Sequence, residues 1–386
     1  MRSVIKQLLL YIKYLGFILA RQILKLFNIF PIKNNRILFH SFNGRQYSCN
    51  PRAISEAAYD NYGSKLEIVW AFNNPRDFEE IVPEYVKRVK MSTLKYYYLA
   101  KTSRVIICNA RGSGIISKRK GQCVIQTWHA SNGYKKIDGE KGIYGKLSKL
   151  ACKDFSYVNA GCENMVRERV NGTMGFYGPI INGTPRMDFI FNSDRDAVRK
   201  KVFGELKIPE DYKIVLYAPT YRSSKQNEFG LEYDAVVSAL EKKFGGKWAI
   251  LVRMHYFVVP SIENASKFID ATKYPDIQDL MVAADVLISD YSSCIWDFSF
   301  LNRPCFLYCS DLDFYEKKVN FNFPIREWGF PLAVNSQELV NCIENFDINI
   351  FSKNMAKHHK CMGNFEDGQA TKRVLDIISD NMNLNV

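Results

Sequence analysis

Two histidines stand where apolar runs give way to polar residues. His129 ends the run VIQTW and precedes a small-residue turn and a lysine pair in VIQTWHASNGYKK (124–136). His255 lies two residues beyond Arg253 in ILVRMHY (250–256), so an extended chain points both to one side. An imidazole titrating near neutrality can act as a general base, and a guanidinium beside one can clamp a phosphate. In LYAPTYRSS (216–224) a third run ends on Pro219 and Thr220 with Arg222 just beyond, offering a hydroxyl and a cation to an oxyanion or a base edge. The fourth place is VLISDYSSCIWDF (286–298). Asp290 closes that run, Ser292 and Ser293 open a helical stretch, and Asp297 shares the helix face of Ser293. Free N–H groups at such a start suit a diphosphate; the plain alternative is N-capping by serine.

All four places need strand ends to position them, and the chain supplies the strands. Nine short β-rich runs recur after Pro31: 36–42, 66–72, 104–110, 123–129, 155–161, 213–220, 248–255, 286–293 and 304–309. Helical patterns such as NPRAISEAAYDNYG and LEYDAVVSALEKKFGG lie between many of them. Near-continuous apolar strands alternating with helices predict α/β architecture with parallel sheets covered on both faces. Nine strands exceed one sheet of ordinary size, and the polar segment 192–213 separates two sets. The expectation is two Rossmann-like domains, 31–195 and 196–350, with ligands in a central cleft at the carboxyl ends of the strands. A helical segment at 351–386 is expected to pack across both domains.

Residues 1–30, MRSVIKQLLLYIKYLGFILARQILKLFNIF, read differently. On a helix at about 100° per residue, Arg2, Lys6, Lys13, Arg21 and Lys25 fall within an arc of roughly 140°, and Leu, Ile and Phe fill the rest. The longest uncharged run, Tyr14–Ala20, is shorter than the roughly 20 apolar residues of a span. This predicts an amphipathic helix lying on an anionic membrane surface; a helix packed on the protein's own core is the alternative. Nine Lys or Arg precede the first acid, Glu56, and the whole chain of 386 residues carries +13. Such a balance, with 14% aromatics, suits anionic partners.

Several classes are excluded. With 47% hydrophobic and 24% charged residues the chain is neither disordered nor polytopic. It holds no GxxxxGK[ST], GxSxG or HExxH, and no GxGxxG follows the first strand. The ten cysteines lack both CxxC and zinc spacing, and free buried thiols are expected. Asp311 and Asp313 form an Asp-x-Asp pair in a loop, but no metal and no cofactor are expected.

Seven blocks taken in order resemble the CDP-glycerol:glycerophosphotransferase family, the teichoic acid primases and polymerases. They are SFNGRQYSCNPRAISEA (41–57), QTWHASNGYKKID (126–138), GTPRMD (183–188), LYAPTYR, RMHY, LISDYSSCIWDFSFLNRPCFLY and EDGQAT (366–371). The resemblance implies a GT-B type fold at the cytoplasmic face of the bacterial membrane. It implies transfer of glycerol phosphate from CDP-glycerol to a polyprenyl diphosphate-linked glycan, releasing CMP, in teichoic acid or capsule-type polymer synthesis. It places CDP-glycerol contacts on His129, Ala130, Ser131, Asn132, Gly133, Arg186, Pro219, Thr220, Arg253, Met254, His255, Ser292, Ser293 and Asp297. His129 and His255 are the catalytic candidates, with His129 as base and His255 on the diphosphate, or the reverse. Where the family has Gly-Thr-Pro after the first histidine, this chain has Ala130-Ser131-Asn132. That leaves a CDP-ribitol donor as an alternative. A GT-B glycosyltransferase using a nucleotide sugar and a non-enzymatic basic module for membrane or nucleic acid are the others, with no nucleic acid expected on the main reading.

Overall fold

Thirteen strands form among the described residues of a computed structural model, which are 2–111, 114–136, 142–220, 231–254, 267–319 and 321–384. Seven belong to the first of two units: β1 (Lys33–His40), β2 (Glu67–Phe72), β3 (Lys87–Lys90), β4 (Ser103–Cys108), β5 (Cys123–Gln126), β6 (Tyr157–Ala160) and β7 (Ile180–Asn182). They pair in parallel in the order β3-β2-β1-β4-β5-β6-β7. The order reverses between β1 and β4, which is the topological switch point of a doubly wound sheet. Ser41 and Asn109 follow those two strands there, and the Asn109 amide donates to the Ser41 hydroxyl at 3.0 Å.

Alternation along the strands sends Ile37, Phe39, Val105, Ile107 and Ile125 to one face, where they meet Ile54 and Ala58 of helix Cys49–Tyr62 and Val374 and Ile378 of helix Ala370–Met382. Trp70 sits fully buried in this layer with its indole N–H on the Ser55 hydroxyl at 2.9 Å. The first unit comprises residues 1–133, 137–188 and 365–386; the second comprises 134–136 and 189–364.

The second unit repeats the plan with six strands: β8 (Tyr212–Ala218), β9 (Lys247–Val252), β10 (Ile269–Asp270), β11 (Val286–Ser289), β12 (Cys305–Tyr308) and β13 (Leu332–Ala333). All pair in parallel in the order β10-β9-β8-β11-β12-β13, so its switch point lies between β8 and β11. The expected pair of doubly wound parallel-sheet α/β units is therefore present. Each of the nine predicted runs overlaps a strand.

The N-terminal segment is the helix Arg2–Ile23. Its stretch Gln7–Ile29 is long and apolar enough, by length and composition, to cross a membrane. Ile5, Leu8, Leu9, Ile12, Leu15, Leu19 and Ile23 are exposed and, at about 100° per residue, fall within an arc of roughly 120°. Tyr14, Phe17, Arg21 and Leu24 face the first unit instead and are partly or fully buried. Arg21 thus departs from the expected cationic outer face. Its side chain is buried, donating to the Gly114 carbonyl at 2.6 Å and pairing with Asp154 at 2.6 Å. Burial of a charge is tolerated here because both ends of the fork find acceptors. Arg21→Met should strip Asp154 of that partner at a cost on the order of 3 kcal/mol. Hydrogen exchange should then quicken in helix Arg2–Ile23 and leave β1 protected; equal protection in both proteins would contradict the anchoring role.

Candidate functional site

In the first unit the chain turns sharply as it leaves β5. Trp128 takes a left-handed backbone conformation, φ +51°, which a bulky residue adopts only when its surroundings enforce it. The enforcing group is Asn50, fully buried near the start of helix Cys49–Tyr62. Its amide donates to the carbonyls of Thr127 at 3.1 Å and Trp128 at 2.9 Å, and its oxygen accepts the Arg186 backbone N–H at 2.9 Å. One carboxamide thereby ties together three sequence blocks: SCNPRA, QTWH and GTPRMD.

The turn delivers His129 to the surface, with its ring stacked on Trp128 at 4.6 Å and its Nδ1 2.9 Å from the Asn109 carbonyl. A carbonyl only accepts, so Nδ1 must carry the proton. In the neutral ring Nε2 is then the basic nitrogen. Asn109 is itself fixed at the switch point, where its Oδ1 accepts the Phe42 N–H at 2.7 Å.

Beyond His129, Ala130 is half-buried, whereas Ser131, Asn132 and Gly133 are buried. The Asn132 carbonyl accepts from the Asn164 amide at 2.9 Å. Gly133 has φ +67°, and a Cβ there would meet the Met165 Cα at 3.2 Å. Ser131 belongs to a directed chain of hydrogen bonds. Arg186 Nη2 donates to Ser131 Oγ at 2.9 Å, Ser131 Oγ lies 3.1 Å from Thr184 Oγ1, and Thr184 Oγ1 donates to Glu366 Oε1 at 2.7 Å. Glu366 also accepts the Thr184 N–H at 2.9 Å. The carboxylate takes the threonine proton, so the serine must donate to the threonine and accept from the arginine. A second carboxylate makes the same long connection: Asp188 accepts the N–H groups of Ala370 at 3.0 Å and Thr371 at 2.6 Å, capping helix Ala370–Met382. Burial, the largest influence on Asp188, raises its pKa against the lowering effect of those bonds.

The second unit places its residues at its own switch point. Asp290, buried at the end of β11, accepts the Thr220 N–H at 2.9 Å and the Thr220 hydroxyl at 2.6 Å, joining the ends of β8 and β11. It also accepts the Tyr291 N–H at 2.6 Å. Pro219 is buried and Thr220 half-buried, with its hydroxyl proton turned onto this carboxylate. Arg253 follows β9 and donates through Nη1 to the carbonyls of Tyr274 at 2.6 Å and Ala271 at 3.3 Å. Desolvation draws its pKa below the usual guanidinium value. The Met254 N–H donates to the Thr272 hydroxyl at 3.2 Å. Ser292 and Ser293 are half-buried before the short helix Cys294–Ser299, with Ser293 at its N-cap position; Asp297 is buried within that helix. Asp311 accepts the Tyr291 hydroxyl at 2.9 Å. His255 and Arg222 lie outside the described residues.

The structure therefore joins Ser131 to Arg186 and Thr220 to Asp290. Asn50, Asn109, Thr184 and Glu366 were not among the expected site residues, although three of them lie inside the quoted blocks. The available signal was that Asn50 and Thr184 stand directly before Pro, and Glu366 two residues before Gly368. Asn109, at the end of RVIICNA, had only its place after a strand. Glu366→Gln can keep just one of the two acceptor bonds, and should cost about 1–3 kcal/mol in denaturant unfolding. Gly161→Ala should do at least as much damage, since its Cβ would lie 2.3 Å from Glu366 Oε1 and 2.5 Å from Ser131 Cβ. Wild-type stability in both variants would mean that the chain is not needed for the fold.

A similar fold is found in the wall teichoic acid polymerase TagF, whose solved structure matches with a TM-score of 0.82 at 22% identity, covering 98% of each chain. The teichoic acid glycerol-phosphate transferase of Staphylococcus aureus (strain NCTC 8325 / PS 47) is 28% identical over 92% of this chain and 95% of its own length. The teichoic acid poly(glycerol phosphate) polymerase of Bacillus subtilis (strain 168) is 28% identical over 81% of this chain, which spans 44% of that relative's length. The family model described as CDP-Glycerol:Poly(glycerophosphate) glycerophosphotransferase matches residues 22–380. With all but the two ends of the chain inside that match, the protein belongs to the CDP-glycerol:poly(glycerophosphate) glycerophosphotransferase family of transferases.

Proposed function

We propose that this protein transfers glycerol phosphate from CDP-glycerol to a polyprenyl diphosphate-linked glycan, releasing CMP, in the synthesis of teichoic acid or a capsule-type polymer. The observation that carries this reading is the 2.9 Å contact between His129 Nδ1 and the Asn109 carbonyl. The Asn109 carbonyl holds the proton on Nδ1 and leaves Nε2 as the base. The acceptor hydroxyl gives its proton to Nε2 as its oxygen forms a bond to the β-phosphorus, and the bond from that phosphorus to the bridging oxygen breaks to free CMP. Arg253 and the backbone at Ser292 and Ser293 are assigned to the diphosphate, with Asp290 and Thr220 holding the ends of β8 and β11 in register. The Arg186–Ser131 bond is assigned to setting the loop after His129.

Relatives support the donor class. They include a teichoic acid poly(glycerol phosphate) polymerase of Bacillus spizizenii (strain ATCC 23059 / NRRL B-14472 / W23), and TagF has also been solved as a variant soaked with CDPG. A teichoic acid poly(ribitol-phosphate) polymerase of the same Bacillus spizizenii strain is 24% identical, so CDP-ribitol is the second reading. The exposed apolar arc of helix Arg2–Ile23 supports a peripheral place on the cytoplasmic face of the cell membrane, where such an acceptor is embedded.

Offering CDP-glycerol, CDP-ribitol and UDP-sugars with a lipid-linked disaccharide, and measuring released nucleotide, separates these readings; CMP from CDP-glycerol is the expected product. His129→Ala should slow CMP release by about 10²–10⁴-fold. Unchanged turnover would remove His129 from the mechanism. Asp290→Asn should loosen the β8–β11 corner and act mainly on the KM for CDP-glycerol, by about tenfold. An effect confined to the acceptor KM would assign the corner elsewhere.

A further inference from the structure

The first sheet is filled on one face and hollow on the other. Leu38 and His40 of β1, Ile106 and Cys108 of β4 and Val124 of β5 point away from the packed core and line a cavity of about 450 Å³. Helix Leu94–Thr102 and the segment 114–118 help to close it. The volume is that of a small-molecule site, and the place is the switch point, where doubly wound sheets bind ligands.

Its polar atoms are short of partners. His40 Nδ1 and Asn43 Oδ1 are buried without a hydrogen-bond partner among the described residues. Buried polar atoms are rarely left so, and one donor or acceptor each from a bound molecule would satisfy them. Burial lowers the His40 pKa to about 4, so the imidazole is neutral and suited to a hydroxyl.

The walls also carry a net positive charge. Arg45, Arg111 and Lys118 line the cavity, and the one carboxylate among its described lining residues, Asp154, is already paired with Arg21. Arg45 is exposed at the surface and has no carboxylate partner among the described residues. Tyr96 and Tyr97 add aromatic surface, on which the apolar face of a pyranose can stack. A molecule that satisfies all of this has sugar hydroxyls, an aliphatic portion and an anionic group.

Location decides among such molecules. Gly114 and Asp154, which wall the cavity, are the two residues that hold Arg21 of the helix with the exposed apolar arc. Cys108 lines the cavity, and its neighbour Asn109 holds His129. The hollow is thus walled on one side by the residues that anchor the helix with the exposed apolar arc and on another by the strand whose next residue, Asn109, holds the imidazole assigned as base. We propose that it is the subsite for the isoprenoid-proximal glycosyl diphosphate of the lipid-linked acceptor. The inference rests on the transferase reading above and deepens it: the diphosphate meets the cations, the first sugar meets His40, Asn43 and the tyrosines, and the isoprenoid leaves beside helix Arg2–Ile23.

The test uses the full chain with a disaccharide joined through a diphosphate to a farnesyl group. Binding of this probe is measured calorimetrically without donor, and its KM is measured from CMP release with CDP-glycerol. Arg45→Glu and Tyr97→Ala, both at positions open enough to spare the fold, should each weaken probe binding and raise the acceptor KM by about tenfold or more, with the CDP-glycerol KM held within about twofold. The same disaccharide lacking the diphosphate should bind poorly to wild type and be indifferent to Arg45→Glu. Normal turnover with an unchanged acceptor KM in both variants would overturn the subsite while leaving the transferase reading intact. Probe binding that depends on Arg45 without any CMP release would do the opposite. Competitive inhibition of the soluble acceptor by phosphatidylglycerol vesicles would give the cavity to bulk phospholipid and also overturn the proposal.

Discussion

A single carboxylate sets the direction of the protons around the first unit's loop. Glu366 is buried and accepts both the N–H and the hydroxyl of Thr184. Because it cannot donate when ionised, the threonine must accept from Ser131, and Ser131 must accept from Arg186. A buried positive group and a buried negative group are thus connected through two hydroxyls rather than face to face. Each is solvated by groups whose orientation the other determines, which offsets the cost of removing both from water. The loop after His129 hangs from the middle of this chain. Gly161 has no side chain for the same reason: the space a methyl would fill is taken by Glu366 and Ser131.

The two units share a topology and solve the switch point differently. In the first, neutral amides do the joining: Asn109 reaches Ser41 and Phe42 across the gap between β1 and β4, and Asn50 reaches the end of β5. In the second, a carboxyl side chain spans the gap, with Asp290 taking a backbone N–H and a hydroxyl from Thr220. Amides can donate and accept at once, so they hold a neighbouring carbonyl and a neighbouring N–H together. A carboxylate can only accept, so it gathers the N–H groups of Thr220 and Tyr291 just before the two serines.

The central strands were legible because they are buried on both faces and read as continuous apolar runs. The four strands missed are β3, β7, β10 and β13, which are the edges of the two sheets. The first of these reads KRVK, and the others are two or three residues long. Edge strands are kept short or charged to discourage pairing with other chains, and that erases the pattern by which strands are read. The site divided in the same way. His129, Ser131 and Arg186 stood out by residue type at strand ends or inside a recognisable block. Glu366 and Asn50 are distant from them in sequence, and only the packing of helices Ala370–Met382 and Cys49–Tyr62 on the first sheet brings them near. The N-terminal helix was legible in period but not in orientation: periodicity finds an apolar arc, but does not say that Arg21 turns inward to Asp154.

That inward turn makes Arg21 a mechanical link. The guanidinium is fastened to a glycine carbonyl and an aspartate that both belong to the wall of the hollow face. Helix Arg2–Ile23 therefore cannot roll about its axis or slide without dragging that wall or breaking a charged pair. Any turning of that helix and the width of the cavity beside β1 and β4 are mechanically coupled through this one guanidinium.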